Sequence, residues 1–407
     1  MPATGNPART MNNPHPNPLD RESRKEGCRR LWEQCFNDSE AFTDLYFCHR
    51  YRDDRTLTLC RGGRVVSAMQ LLPYPLAFCG EVVPMAYVSG ACTQPDHRGR
   101  GLMTGLLTRA LRRMRREGVA VATLIPAEPW LWDFYARVGF ARAFDRGWCE
   151  ELPSGDGADA DPAVAVEVDG PQPATASSGE ARPVGTDGGD GGEVVLEEAD
   201  SPASVAEACD FLHRRGVARP CCVLHPEADL RVVAQAIGLW GGRIWLLRRG
   251  GRLKAVAVGA PADRDGQKVI ELDALENMSA ADREAVLKGI SLASGVDRIV
   301  MPTADRGACR PFAMARLVDA PHLLALYARA NPDCSMDFHL VDGQLPEQSG
   351  HYSLRSGRCT FTPCAVPAGA VDGSVGMAVA GGEVLTPEAL ARRVFLSLEG
   401  EMSLMLN

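Results

Sequence analysis

Lysine is nearly missing from this sequence. Of 44 basic side chains only Lys25, Lys254, Lys268 and Lys288 are lysines, and they are spread along the chain, not gathered in a patch. With 52 acidic residues the formal net charge is -8, so bulk electrostatic binding to nucleic acid is not the default. No apolar run reaches the ~20 residues that a membrane span requires, and the opening MPATGNPARTMNNPHPNPLD lacks the apolar core of a secretory signal. A cytoplasmic protein that engages neither nucleic acid nor membrane is expected. Several catalytic signatures are missing too: there is no Walker A motif, no HExxH, no GxSxG and no Cys/His metal spacing, so no metal is expected. None of the 14 cysteines forms a CxxC pair, and most sit in apolar surroundings such as Cys35-Phe36, Phe47-Cys48 and Phe78-Cys79. Reduced thiols follow, and vicinal Cys221-Cys222 reads as two small buried hydrophobes.

What is present is ordinary globular material, 45% hydrophobic and 24% charged, over a 407-residue length that suits two or three domains. Residues 1–26, rich in Pro and Asn, read as a disordered head, with order beginning near Gly27. Two short helices precede the strand-like runs RTLTLC, RVVSAMQLLPYPLAF and VVPMAYVSGACT, separated by hairpin breaks at Gly62-Gly63 and Cys79-Gly80. From Gly101 the period changes: Leu102, Met103, Leu106, Leu107, Ala110, Leu111 and Met114 share one helical face, closed by Gly118. VAVATLIP is then a buried strand, and PWLWDFYARVGF opens a short helix with proline in its first turn. That order makes 27–150 an α/β domain. Residues 151–194, dominated by Gly, Ala, Asp, Pro and Ser, read as a linker. Segments 195–310 and 311–407 again mix helices and strands, and the first of them loosely repeats the order of the N-terminal domain.

The chemistry is concentrated in Ser89–Phe140. A strand ending in Ala91-Cys92-Thr93 runs into QPDHRGRG, which becomes the N-terminus of a long helix. A helix N-terminus has four backbone N–H groups without intrahelical partners and a partial positive charge, and glycines let it approach an anion closely. Arg98 and Arg100 add guanidinium donors suited to phosphate oxygens. Such a strand, glycine turn and helix is a diphosphate cradle, although an Arg/Gly turn alone is usually a solvated turn.

The second half of the stretch, Phe134-Tyr135-Ala136-Arg137-Val138-Gly139-Phe140, lies one strand beyond Arg98-Gly99-Arg100-Gly101-Leu102-Met103. Together the two resemble the Arg/Gln-x-x-Gly-x-Gly/Ala and FYxxxGF motifs of the GNAT acetyltransferase superfamily. The form HRGRGLMT is similar to the subgroup containing the enhanced-intracellular-survival acetyltransferases. The sequence departs from the family at Met103, where a second small residue is usual.

The resemblance implies a mixed α/β fold with two GNAT-like domains, each a central sheet flanked by helices, and a C-terminal sterol-carrier-like α/β domain. It implies direct acetyl transfer from acetyl-CoA to a primary amine, with no covalent enzyme intermediate. Gly99, Gly101, Leu102, Met103 and Thr104, with Arg98 and Arg100, would hold the pyrophosphate. Ala91, Cys92 and Thr93 would bind the pantetheine arm and polarise the thioester carbonyl, and Glu128 would face cofactor or acceptor. Tyr135 would be the general acid, since a phenol with a pKa of about 10 starts protonated. The subgroup uses its C-terminal carboxylate as base, which here falls on Asn407, after the apolar residues Met402, Leu404, Met405 and Leu406. Asp337, Asp342 and Glu347 are further candidates to line an acceptor site for a cation. The acceptor could be a small amine, an aminoglycoside-like amine or a protein lysine, and the subgroup's hexamers imply a homo-oligomer. Two rival readings stand beside this: an acyl-CoA-binding pseudoenzyme, and a protein that carries a ligand in its C-terminal domain.

Overall fold

A computed structural model describes residues 20–152, 182–185, 193–303, 305–364 and 383–405. Most of the linker stretch, and Asn407, lie outside these residues. Residues 21–26, expected in the disordered head, instead begin helix α1 (Arg21–Cys35). Asp20 starts it early, its side chain accepting from the Ser23 N–H at 2.8 Å. Helix α2 (Glu40–His49) is capped in the same way by Ser39.

Strands β1 (Thr56–Arg61), β2 (Arg64–Phe78) and β3 (Glu81–Thr93) form an antiparallel meander. Its two turns fall at Gly62-Gly63 and Cys79-Gly80, all four with positive φ. Helix α3 (Leu102–Arg116) follows, burying Leu106, Leu107, Ala110, Leu111 and Met114. Strand β4 (Val121–Leu124) returns parallel to β3, then come α4 (Pro129–Ala136), β5 (Ala141–Arg146) and β6 (Trp148–Glu151). The middle of the chain supplies β7 (Arg182–Gly185), β8 (Val194–Glu198), α5 (Pro202–Val217), β9 (Cys221–Val223), α6 (Glu227–Gly238), the meander β10 (Arg243–Arg249), β11 (Arg252–Arg264), β12 (Gln267–Asn277), then α7 (Ala280–Ser294) and β13 (Ile299–Pro302). The last part holds β14 (Arg310–Leu317), α8 (Ala320–Ala330), β15 (Met336–Leu340), β16 (Gly350–Arg355), β17 (Arg358–Pro363), β18 (Glu383–Leu385) and α9 (Pro387–Leu398).

The two larger sheets exchange strands. Strand β14 inserts between β4 and β5, giving the order β1-β2-β3-β4-β14-β5, while β6 leaves the first sheet to pair with β13 in β6-β13-β12-β11-β10-β8-β7. Strand β9, built on buried Cys221 and Cys222, adds to the free edge of β2. The segment after α9 bridges Phe144 on β5 through Gly400 and Cys222 on β9 through Glu401, so it links the two ends of the first sheet. The third sheet, β17-β16-β15-β18, packs with α8 and α9 against one face of the first, in a core that runs from Tyr74 and Phe78 to Phe338 and Phe395. Helices α3 and α4 cover the opposite face. No described helix is long and apolar enough to cross a membrane.

Candidate functional site

The site is built on an irregularity in β3. Along β2 and β3 the register runs Gln70↔Ser89 and then Ala68↔Cys92, so Gly90 and Ala91 oppose Met69 alone. This is a β-bulge, which bends the strand and re-aims its groups. Gly90 takes φ +58°, and a Cβ there would lie 2.4 Å from the Trp32 ring, so the bulge seats directly on α1. Tyr46 fixes it from α2, its hydroxyl 2.7 Å from Ser89 Oγ. Pairing with β4 stops at Tyr87↔Thr123. From Val88 to Thr93 the side of β3 facing β4 therefore has no ladder partner there, and its backbone groups line an opening between diverging strands.

At the end of that opening the chain turns through Gly99 (φ +72°) and Gly101 (φ +71°, ψ 8°), the latter being the N-cap of α3 with no side chain capping the helix. A Cβ at either position would meet nothing within 4 Å, so glycine is required here by the backbone conformation alone. Left-handed residues leading into uncapped N–H groups form a concave anion cradle. Met103, in the first turn of α3, is half-buried and packs against the apolar cluster under that helix. Arg98 behaves differently from the expectation of a free phosphate ligand: its Nε donates to the Thr93 carbonyl at 3.0 Å and its Nη2 lies 3.9 Å from Cys35 Sγ. Arg100 and Thr104 are exposed.

Tyr135 comes from α4 on the α3 side of the sheet, in one apolar cluster with Val88, Ala91 and Met103. It is only 6% exposed. Burial, aided by the nearby Cys92 sulfur, pushes its phenol up to about 12. The helix is held by a strand from a distant part of the chain that has joined the first sheet. Arg316 on β14, fully buried, donates to the Val138 carbonyl at 2.7 Å and to both oxygens of buried Asp342 at 2.8 Å. Asp342 is thus the partner of a structural arginine and does not line an acceptor site. Asp337 is paired with His351 and Arg355 on the third sheet.

Glu128 stands exposed at the N-cap of α4, where its side chain makes no capping bond. Asn407 falls outside the described residues. The segment before it is docked: Met402 and Leu404 are buried, and Leu404 shares a cluster with Trp32, Tyr46 and Cys92. Beside it lies a cavity of about 350 Å³, lined by Phe42, Trp240, Asp273, Leu404 and Met405 among others. Four contributors escaped the sequence reading: Trp32 and Tyr46 under the bulge, Cys35 against Arg98, and Arg316 behind Tyr135. The last sits on β14, which is buried on both faces from Ala313 to Leu317, so no polar/apolar alternation marks the strand.

Residues 19–143 match the acetyltransferase (GNAT) domain family. An uncharacterized N-acetyltransferase of Streptomyces avermitilis is 35% identical over 101 residues, 24% of this chain and 23% of the relative. The match therefore spans about a quarter of that relative's length. Among solved structures, a GCN5-related N-acetyltransferase from Anabaena variabilis superposes with a TM-score of 0.66 at 13% identity, covering 92% of this chain and 87% of that one. Eis1 from Mycobacterium abscessus does so with a TM-score of 0.63 at 17% identity, covering 93% and 88%. These likenesses carry the fold over most of the chain, and the match over residues 19–143 supports an acyltransferase domain there.

Proposed function

We propose that the protein is an acetyl-CoA-dependent N-acetyltransferase that moves the acetyl group directly to a primary amine, whether a small amine, an aminoglycoside-like amine or a lysine side chain. One observation carries this reading: the opening between β3 and β4 joins a glycine cradle at one end to a buried, protonated phenol at its side. Bound acetyl-CoA supplies an acetyl group activated as a thioester. The N–H groups of Gly99 to Thr104 hold the diphosphate, with Arg100 free to add charge and Arg98 contributing from its fixed position. Backbone groups of Ala91, Cys92 and Thr93 orient the acyl carbonyl and stabilise the charge it develops. Tyr135 Oη keeps its proton until the departing sulfur needs one.

The whole-chain likeness to Eis1 supports a three-part plan in which the unit of α8, α9 and the four-stranded sheet is the sterol-carrier-like module. On the same plan Glu128 lies on the acceptor side.

Thermal unfolding with and without acetyl-CoA tests cofactor binding, because a ligand that binds only the folded state stabilises it by about 2.7 kcal/mol at one hundred times its Kd. Tyr135→Phe should keep that rise while amine-dependent release of CoA falls by about 10²–10⁴-fold. Full turnover in Tyr135→Phe would overturn the acid assignment, and no thermal shift at millimolar acetyl-CoA would overturn the reading itself.

A further inference from the structure

Two thiols that acyl transfer does not use lie by the end of β3. Cys35 is the last residue of α1 and is half-buried. Its sulfur lies 3.7 Å from the Thr93 carbonyl and 3.9 Å from Arg98 Nη2. Because Arg98 Nε also donates to that carbonyl, one guanidinium is fixed across the end of β3 and the sulfur together. Cys35 also packs against the buried cluster that holds Cys92, the residue before Thr93 on β3.

The two sulfurs have opposite surroundings. The hydrogen bond to Cys35 and burial both push the Cys92 thiol well up, so it keeps its proton and donates. That hydrogen bond, joined by Arg98 and opposed by burial, lowers the Cys35 thiol to about 6. Burial pushes the thiols of Cys28, Cys79, Cys209, Cys221, Cys222 and Cys359 the other way. A half-buried thiol of lowered pKa beside a cation, with a protonated thiol packed in the same cluster, has the arrangement of a nucleophile and its resolving partner.

We propose that Cys35 is a modification site in this cleft, at which a peroxide installs a disulfide with Cys92 that ties α1 to the strand lining the cofactor opening. In the first step the Cys35 thiolate attacks one peroxide oxygen, the O–O bond breaks, and hydroxide leaves and takes a proton. Cys35 is then a sulfenic acid. In the second, the Cys92 sulfur attacks the Cys35 sulfur, the S–O bond breaks, and the hydroxyl departs as water with the Cys92 proton. Two thiols lose two electrons and the peroxide is reduced to two waters. The bond requires Cβ atoms about 3.5–4.5 Å apart, so it fixes Cys92, and with it the end of β3 that would hold the pantetheine arm, against α1. Oxidation therefore weakens acetyl-CoA binding, a consequence that rests on the function proposed above. The disulfide itself does not.

The test uses full-length reduced protein. Brief iodoacetamide labelling at pH 6.5 with peptide mapping should find Cys35 modified about tenfold faster than exposed Cys48, and Arg98→Ala should remove most of that advantage. Hydrogen peroxide should then yield a cross-linked peptide pair containing Cys35 and Cys92, reversed by dithiothreitol. Cys92→Ser should give instead a dimedone adduct at Cys35. Cys35 labelling no faster than Cys48, or a peroxide cross-link that omits either residue, would overturn the proposal. The thermal rise with acetyl-CoA should shrink after oxidation and return on reduction, and an unchanged rise would overturn the effect on binding. If the reduced protein shows no rise at all, the cofactor reading fails while labelling and cross-linking still decide the thiol pair.

Discussion

Arg316 Nη1 donates to the Val138 carbonyl at 2.7 Å, through the space that a side chain on Gly139 would fill. A Cβ on Gly139 would stand 1.6 Å from that nitrogen, and Gly139 also takes φ +88°. The glycine of the FYARVGF motif thus does two things. It ends α4 in a left-handed turn, and it admits a cation from a distant strand to the helix C-terminus, where carbonyls carry partial negative charge. Gly139→Ala should cost about 2–4 kcal/mol from backbone strain and overpacking, read by urea unfolding. Because Tyr135 sits one turn away, kcat should fall more than the KM for acetyl-CoA rises.

The other end of that contact predicts a larger loss. Asp342 accepts from Arg316, from Gln348 Nε2 at 2.7 Å and from the Gln344 and Leu345 N–H groups at 3.0 Å each. Every lone pair of this buried carboxylate is used, which is how a buried charge becomes tolerable. Asp342→Asn would leave Arg316 without a counter-charge and should cost about 3–5 kcal/mol. Equilibrium unfolding would show it, and a loss under about 1 kcal/mol would mean that the pair is solvated.

How far this site was legible depends on the range of the contacts that make it. The hairpins at Gly62-Gly63 and Cys79-Gly80, the apolar face of α3 and the two motifs are local patterns, and each lies where the sequence suggests. The exchange of β6 and β14 between sheets leaves no local mark, since the same residues could pair with either sheet. Nothing local marks Arg316 as buried, since its partner, Asp342, lies 26 positions away. The early start of α1 rests on one cap, Asp20, in a segment whose composition otherwise resembles a tail.

Burial of Tyr135 bears on pH dependence. Its phenol is pushed up to about 12, so it stays protonated throughout the range in which the protein can be assayed. As pH rises, loss of the Tyr135 proton should therefore not limit kcat below about pH 10, the ordinary phenol value. An alkaline limb in kcat near pH 8 that vanishes in Tyr135→Phe would contradict this environment.

A second buried charge holds the docked C-terminal segment. Asp229 on α6 pairs with Arg50 and His225 and accepts from Tyr74 Oη at 3.0 Å, while His225 Nε2 lies 2.9 Å from the Ser403 carbonyl. Burial raises the Asp229 carboxyl, but the hydrogen bond and charge of His225, with Arg50 and Tyr74, outweigh it and hold it below its ordinary value. A carboxylate depressed on folding gives stability that is present above its unfolded pKa and is lost as pH falls through the folded one. Acidification below about pH 4 should therefore loosen this junction, and Asp229→Asn should remove that part of the acid dependence. Hydrogen exchange in residues 400–405 is the direct readout.

Three glycines with positive φ surround the opening, and they separate stability from binding. At Gly90 a Cβ would strike the Trp32 ring at 2.4 Å, and Trp32 is itself fixed by Nε1 donating to Asp38 at 2.8 Å. At Gly99 and Gly101 a Cβ would meet nothing. Gly90→Ala should consequently lower the unfolding midpoint in the absence of any ligand, through both strain and a clash with a ring that cannot give way. Gly99→Ala and Gly101→Ala should cost only the left-handed strain of about 1–2 kcal/mol, yet remove most of the rise with acetyl-CoA, because the open space is the space the diphosphate needs. If the two loop variants bind normally, the cradle is not the phosphate site. If Gly90→Ala alone abolishes binding at unchanged stability, the bulge contacts the cofactor more closely than the turn does.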